Sequence, residues 1–108
     1  MGYTYNITFV ISPEKEGELK NYLRNDLWHR LFHENIKTFD PTLKKVVEIG
    51  GEKPDSEHGV SIALSVCFES EIAAHEWHDK ILMPILEDFH LKFGKDGLFF
   101  ITLLENLS

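Results

Sequence analysis

Two nine-residue segments, Tyr3–Ile11 and Val60–Phe68, constrain the fold of this chain more than any other feature. In both of them every second residue is a large apolar or aromatic one, and the residues between are mostly small or mildly polar. Because successive side chains of a strand point to opposite faces, this alternation predicts two β-strands, each with one face buried. Neither segment holds a charged residue, although 27% of the chain is charged. We therefore predict that these two strands are the central strands of a sheet.

Two amphipathic helices are predicted to follow these strands. The first begins at Ser12, a residue type that caps helices, and runs from about Pro13 to about His33, with Asn25-Asp26 as a point of interruption. The second begins at Ser70-Glu71 and ends at Gly94. Its two halves carry apolar stripes that do not coincide on a regular helix, and Pro84 lies between them. Since proline lacks the backbone N–H, we expect a kink or a break there.

Two further strands complete the pattern. Leu43–Ile49 follows an Asp40-Pro41 turn, and Leu98–Glu105 closes the chain. The polar stretch Gly50–Gly59 reads as an exposed hairpin loop. The order β-α-β-β-α-β over residues 1–108 predicts one α+β domain of the ferredoxin-like class, with a four-stranded antiparallel sheet and both helices on one face. Two such sheets can also pair into a dimeric α+β barrel.

Charge and cysteine content exclude several kinds of partner and site. The chain has 11 Lys and Arg against 18 Asp and Glu, a formal net charge of −7, which argues against nucleic acid and anionic membranes as partners. Its one cysteine, Cys67, cannot form an internal disulfide. No apolar run approaches a membrane span, and the first residues carry no basic segment typical of a secretory signal. These features predict a cytoplasmic protein.

The sheet face away from the helices is the predicted binding surface. Its two central strands would show short, uncharged side chains where a solvated face normally carries Lys and Glu. We therefore expect a second copy of the chain to cover this face and form a homodimer, with a small-molecule ligand over the short side chains. The predicted ligand-binding residues are Asn6, Thr8, Ala63, Ser65 and Cys67. The alternative is that short residues simply tolerate exposure to solvent.

The histidines offer two weaker sites. Asp26, His29 and His33 would share one face of an unbroken helix, and imidazole with carboxylate is a known set of zinc ligands. A solvated helix surface explains the same residues without a metal, and we expect no metal or other cofactor. His75 and His78 flank Trp77 on the second helix, at the edge of the predicted core.

Three segments resemble a family of short bacterial proteins that is described only as a domain of unknown function. They are the start of the first strand, Tyr5–Val10, the end of the second helix, Phe89–Gly94, and the last strand, Phe100–Glu105. The resemblance spans nearly the whole chain. It implies a ferredoxin-like, dimeric domain and assigns no catalytic residue.

The size and element order are also similar to those of dimeric α+β barrel monooxygenases, including haem-degrading ones. Some of these use an Asn on strand 1, a His on helix 2 and a Trp on strand 3. Asn6 and either His75 or His78 match the first two, but Val66, Cys67 and Phe68 stand where the tryptophan would be. The favoured function is thus a non-enzymatic homodimeric domain that binds a small ligand. The alternative is an oxygenase-like or haem-handling enzyme with Asn6 and His78 as catalytic residues.

Overall fold

The computed structural model of the chain describes residues 2–52 and 59–107. Its four strands are β1 (Tyr3–Ile11), β2 (Phe39–Lys45), β3 (Val60–Phe68) and β4 (Gly97–Glu105). They form one antiparallel sheet in the order β2-β3-β1-β4. A first helix (residues 13–30) joins β1 to β2, and a second helix (residues 71–93) lies between β3 and β4. The fold is α+β, as predicted, and is compatible with the ferredoxin-like arrangement.

The first helix is continuous but irregular. A 3₁₀ turn at Pro13–Lys15 leads into the α-helical Glu16–Asn21, a π-helical turn at Tyr22–Leu27 and a final 3₁₀ turn at Trp28–Arg30. The helix ends at Arg30 rather than near His33, and the predicted interruption at Asn25-Asp26 takes the form of the π-helical turn, which departs from α-helical geometry without breaking the helix. The wider π turn absorbs these two residues on the exposed side of the helix. The five residues predicted for its apolar side are all buried: Leu19, Tyr22, Leu23, Leu27 and Leu31.

The second helix does not break at Pro84. It runs from Glu71–Trp77 through a π-helical turn at His78–Leu82 into the α-helical Met83–Phe93, whose first turn holds the proline. A proline is tolerated in the first turn of a helical segment, because that N–H needs no partner within the segment. The π turn instead corrects the mismatch between the two apolar stripes, since its extra residue brings Trp77 and Leu82 to the same buried side.

The second strand starts and ends earlier than the predicted Leu43–Ile49. β2 begins at Phe39 and ends at Lys45, and its pairing with β3 shifts between Phe39 and Thr42. Asp40 has a φ of 46° there, so the Asp40-Pro41 pair forms a bulge within the strand rather than a turn before it.

Of the predicted Gly50–Gly59 loop, residues 53–58 lie outside the described part. Gly50 and Gly51 both have positive φ, as a two-residue hairpin turn requires, and Ile49 and Glu52 close this turn with backbone hydrogen bonds of 2.8 and 3.1 Å.

One core holds the two helices against one face of the sheet. Alternate residues of β1 and β3 point into it, and the buried residues of both helices belong to the same cluster. Trp77 is fully buried and its indole Nε1 donates to the Leu31 carbonyl at 2.8 Å, which ties the end of the first helix to the second. Tyr22 makes a second tie, donating to the Asp88 carboxylate at 2.9 Å. Among the described residues, no helix is long and apolar enough to cross a membrane.

Candidate functional site

The candidate site is the sheet face opposite the helices, called here the open face. The strand register defines it, because residues paired across strands lie on the same face. On β1 and β3 it carries Thr4, Asn6, Thr8, Val10, Ser61, Ala63, Ser65 and Cys67. The outer strands add Phe39, Thr42 and Lys44 from β2 and Leu98, Phe100, Thr102 and Leu104 from β4. The five residues predicted to bind a ligand therefore all lie on this one face.

Short side chains in the centre of the open face are linked by hydrogen bonds. Ser65 Oγ donates to Asn6 Oδ1 at 3.1 Å, across the β1–β3 pair. Thr4 Oγ1 lies 3.4 Å from Cys67 Sγ on the neighbouring pair. These contacts join the amide, hydroxyl and thiol groups of the two neighbouring strands. The centre of the face is consequently a low floor with several groups that can exchange hydrogen bonds.

The β4 side of the open face is apolar and strongly exposed. Leu98, Phe100 and Leu104 are 61%, 60% and 47% exposed. Large side chains stand higher than the Thr, Ser and Ala residues beside them, so they form a raised margin along the floor. An exposed apolar cluster next to a floor without charge is typical of a surface that is covered in the working protein.

Sequence reasoning missed the contribution of β2 to this face. Phe39 lies opposite Cys67 and Lys44 opposite Ala63, so β2 adds one aromatic and one charged residue to the open face. Among the paired positions of this face that the structure describes, Lys44 is the one that carries a charge. The signal was present in Asp40-Pro41, because a proline within a β-branched or apolar run marks an edge strand or a bulge.

The structure does not bring Asn6 and His78 together. The imidazole of His78 stacks on Tyr5, with 5.6 Å between ring centroids, and Tyr5 belongs to the buried helix side of β1. Asn6 is the next residue along the strand and points to the opposite face. His75 lies on the exposed side of the second helix, 3.8 Å from Glu71. No histidine of this helix therefore shares a site with Asn6.

Asp26, His29 and His33 do not form a ligand set either. His33 lies beyond the end of the first helix, where its Nδ1 accepts a hydrogen bond from the Asn35 amide at 3.0 Å. Asp26 and His29 remain on exposed turns of the helix. Within residues 2–52 and 59–107, no three His, Cys, Asp or Glu side chains are grouped closely enough to hold a metal ion.

Comparison with known proteins adds no assignment. No protein-family model matches the sequence, and no curated protein matches it. The resemblance to short bacterial proteins therefore depends on its three motifs, and the function has to be argued from the open face.

Proposed function

We propose that this chain is a non-enzymatic, homodimeric binding domain whose two copies pack their open faces together around a small ligand. The observation that carries the proposal is the exposure of Leu98, Phe100 and Leu104 beside a floor without charged residues. Removing such apolar surface from water is favourable at roughly 25 cal/mol per Å². An identical face on a second copy supplies a complementary surface of the same kind.

The size of the open face suits a modest dimer. Strands about 4.8 Å apart and nine residues long at about 3.3 Å per residue span a face of roughly 19 by 30 Å. This projected area is somewhat below the roughly 800 Å² that each partner buries in a standard interface. We therefore expect dissociation in the micromolar range rather than an obligate dimer.

The shape of the face leaves space between the two copies. The raised β4 margins would touch first, and the floor around Asn6, Thr8 and Ser65 would stay apart. The space would be lined by apolar side chains at its sides and by hydroxyl and amide groups below. Such a lining suits a small, uncharged and mainly apolar molecule with one or two hydrogen-bonding groups.

This arrangement corresponds to a ferredoxin-like domain paired into a dimeric α+β barrel. It also places the thiol of Cys67 at the interface, where it lies beside Thr4. A free thiol in that position stays reduced in the cytoplasm, which is the location we propose.

A charge placed on the open face tests the dimer. We expect sedimentation of the unchanged chain to show a shift from 12.5 kDa to twice that mass as its concentration rises through the micromolar range. Phe100→Lys puts an unpaired ammonium into the interface, and we expect it to weaken dimerisation by at least about 100-fold.

Ile72→Lys is the matched control, because Ile72 is also a large apolar residue, 74% exposed, but lies on the second helix. It should dimerise like the unchanged chain. A 12.5 kDa species at all concentrations up to about 100 µM, well above the expected dissociation constant, would contradict the proposal. So would an equal effect of the two substitutions.

A further inference from the structure

A groove between the first helix and β2 carries positive charge on an acidic protein. One end is a cavity of about 70 Å³ surrounded by the cationic residues Lys20, Arg24 and Lys45; Lys44 also lines it, but the strand register puts its side chain on the open face. The chain has only 11 Lys and Arg residues and a net charge of −7, so three cations around one small cavity are a strong local concentration. The groove lies on the helix side of the β2 edge and is distinct from the open face.

Next to this charged end the groove is wider and apolar. A second cavity, of about 340 Å³, is lined by Arg24, Trp28 and Leu43 and shares Arg24 and Leu43 with the first. It is a shallow depression, largely open to solvent, in which a flat ligand can lie against the surface. Trp28 packs against the core with one side and lines the cavity with another, so a flat indole surface is available there.

The cations of the groove are only partly neutralised. Glu16 binds Lys20 at 2.6 Å and Lys45 at 2.8 Å through the same carboxylate oxygen, and both ammonium groups hold the pKa of Glu16 below its ordinary value. Arg24 has no ion-pair partner within 4.0 Å among the residues that the structure describes. Lysines on an edge strand also prevent edge-to-edge pairing, but that role accounts for neither Arg24 nor Trp28.

The first helix has its π turn beside this groove. The turn covers Tyr22–Leu27, and the row Lys20, Arg24 and Trp28 runs along it toward β2. Insertions of this kind are often found at functional sites, because they redirect side chains away from their regular helical positions. The groove thus combines one free cation, two lysines that share a single carboxylate, an aromatic surface and an altered helix.

We propose that the groove binds a small organic oxyanion, a carboxylate or phosphate group attached to a flat apolar moiety. The oxyanion lies beside Arg24, whose guanidinium can donate two parallel hydrogen bonds to it, with Lys20 and Lys45 lining the same cavity. The apolar moiety extends over Leu43 against the indole of Trp28. The carboxylate of Glu16 limits the affinity, because it already occupies Lys20 and Lys45.

Titration followed by ¹H–¹⁵N NMR tests this site. The probes are 2-naphthoate, 2-naphthyl phosphate and the neutral 2-naphthamide, and the Trp28 indole signal is identified by its loss in Trp28→Phe. We expect the two anions to shift this indole signal and the backbone N–H signals of Leu43–Lys45. We expect the neutral 2-naphthamide to bind at least about 5-fold more weakly than the anions. The relative shifts by carboxylate and phosphate show which head group the site prefers.

Four substitutions separate the groove from general electrostatic attraction. Arg24→Gln should weaken the binding of 2-naphthoate by about 3- to 10-fold. Lys44→Gln, which removes a cation from the opposite face of β2, and Lys80→Gln, which removes an exposed cation from the second helix, should not. Glu16→Gln should tighten binding by a similar factor, because it frees Lys20 and Lys45. The proposal is overturned if neither anion shifts the Trp28 indole at millimolar concentration, if 2-naphthamide binds as well as 2-naphthoate, or if Glu16→Gln does not tighten binding.

Discussion

Single side chains decide how closely the helices approach the sheet. Gly97 begins β4 opposite Ile11, beneath the ring of Phe89. A Cβ atom there would lie 2.7 Å from Phe89 Cζ and 3.1 Å from Ile11 Cδ1, both inside van der Waals contact. The absence of a side chain at this position therefore lets Phe89 pack directly over the strand and against Phe9, at 5.0 Å between ring centroids.

Gly97→Ala should lower the free energy of unfolding by about 1–3 kcal/mol, because the added methyl group forces Phe89 or Ile11 out of position. Gly17→Ala is the control with the opposite expected sign. Gly17 is exposed in the first helix with open space around it, and alanine there should stabilise the chain by roughly 0.5–1 kcal/mol. Urea denaturation measures both values. Equal stabilities for the two variants would show that Phe89 does not depend on the space above Gly97.

Another residue-scale feature joins the helices through polar groups. The Tyr22 hydroxyl contacts Asp88, which Arg30 also reaches at 3.2 Å. Burial, together with the Asp88 carboxylate, raises the pKa of the Tyr22 phenol well above its ordinary value of 10.0. The phenol therefore stays protonated near neutral pH and continues to donate to Asp88. Ionisation of Tyr22 consequently does not weaken this contact between the helices in that pH range.

At the scale of elements, the π turn of the second helix determines which residues of that helix face the core. Trp77 and Leu82 are five residues apart and both fully buried, although a regular helix would place them well apart around its axis. The wider turn between them holds one extra residue and restores a single buried side. Without it, either Trp77 or the Phe89 side of the helix would face solvent.

Deleting exposed Lys80 from this turn should therefore be tolerated, because Trp77 and Leu82 would then be four residues apart on a regular helix. Deleting exposed Glu87 should be far more damaging, since it rotates Phe89 and Phe93 away from the core without any turn to compensate. We expect the Glu87 deletion to cost at least about 3 kcal/mol more free energy of unfolding than the Lys80 deletion. Comparable melting temperatures for the two variants would argue that the π turn has no role in aligning the buried residues.

At the scale of the whole molecule, thickness and charge are the informative quantities. The chain measures 39 × 32 × 19 Å, so the shortest dimension spans only a sheet and one layer of helices. Its radius of gyration of 14.2 Å exceeds the roughly 13 Å typical of a compact chain of this length. Pairing through the open faces would double the thickness and make the assembly more nearly spherical.

Salt should act in opposite directions on the two proposed interactions. Each copy carries a net charge of −7, and the open face contributes little charge of its own, so two copies repel each other on approach. Raising NaCl from about 20 to 200 mM shortens the screening length. It should strengthen dimerisation, because the repulsion between the two copies is screened, and it should weaken the binding of 2-naphthoate in the groove, because the attraction to the cations is screened too. Sedimentation and NMR titration at both salt concentrations measure the two effects. A dimer that weakens with salt would point to charged rather than apolar contacts between the copies.

The sequence by itself determined the local features of this protein. Alternation with period two placed β1 and β3 within one residue and gathered Asn6, Thr8, Ala63, Ser65 and Cys67 on one face, because the side-chain direction of a strand depends only on the parity of the residue number. The buried residues of the first helix were predicted from their helical spacing, because the direction of a side chain around a helix likewise follows from its residue number.

The tertiary structure decided whatever depends on a shift of one residue or on contacts between distant elements. The bulge at Asp40-Pro41 and the two π turns change which side chains of their strand or helix face the core. Packing against the sheet favours these irregular conformations over a regular strand or α-helix. The separation of Asn6 from His78 and the meeting of Arg24 with Lys45 around one cavity likewise depend on how the helices lie on the sheet. Local patterns do not encode such distances, because they arise only when the whole core is packed.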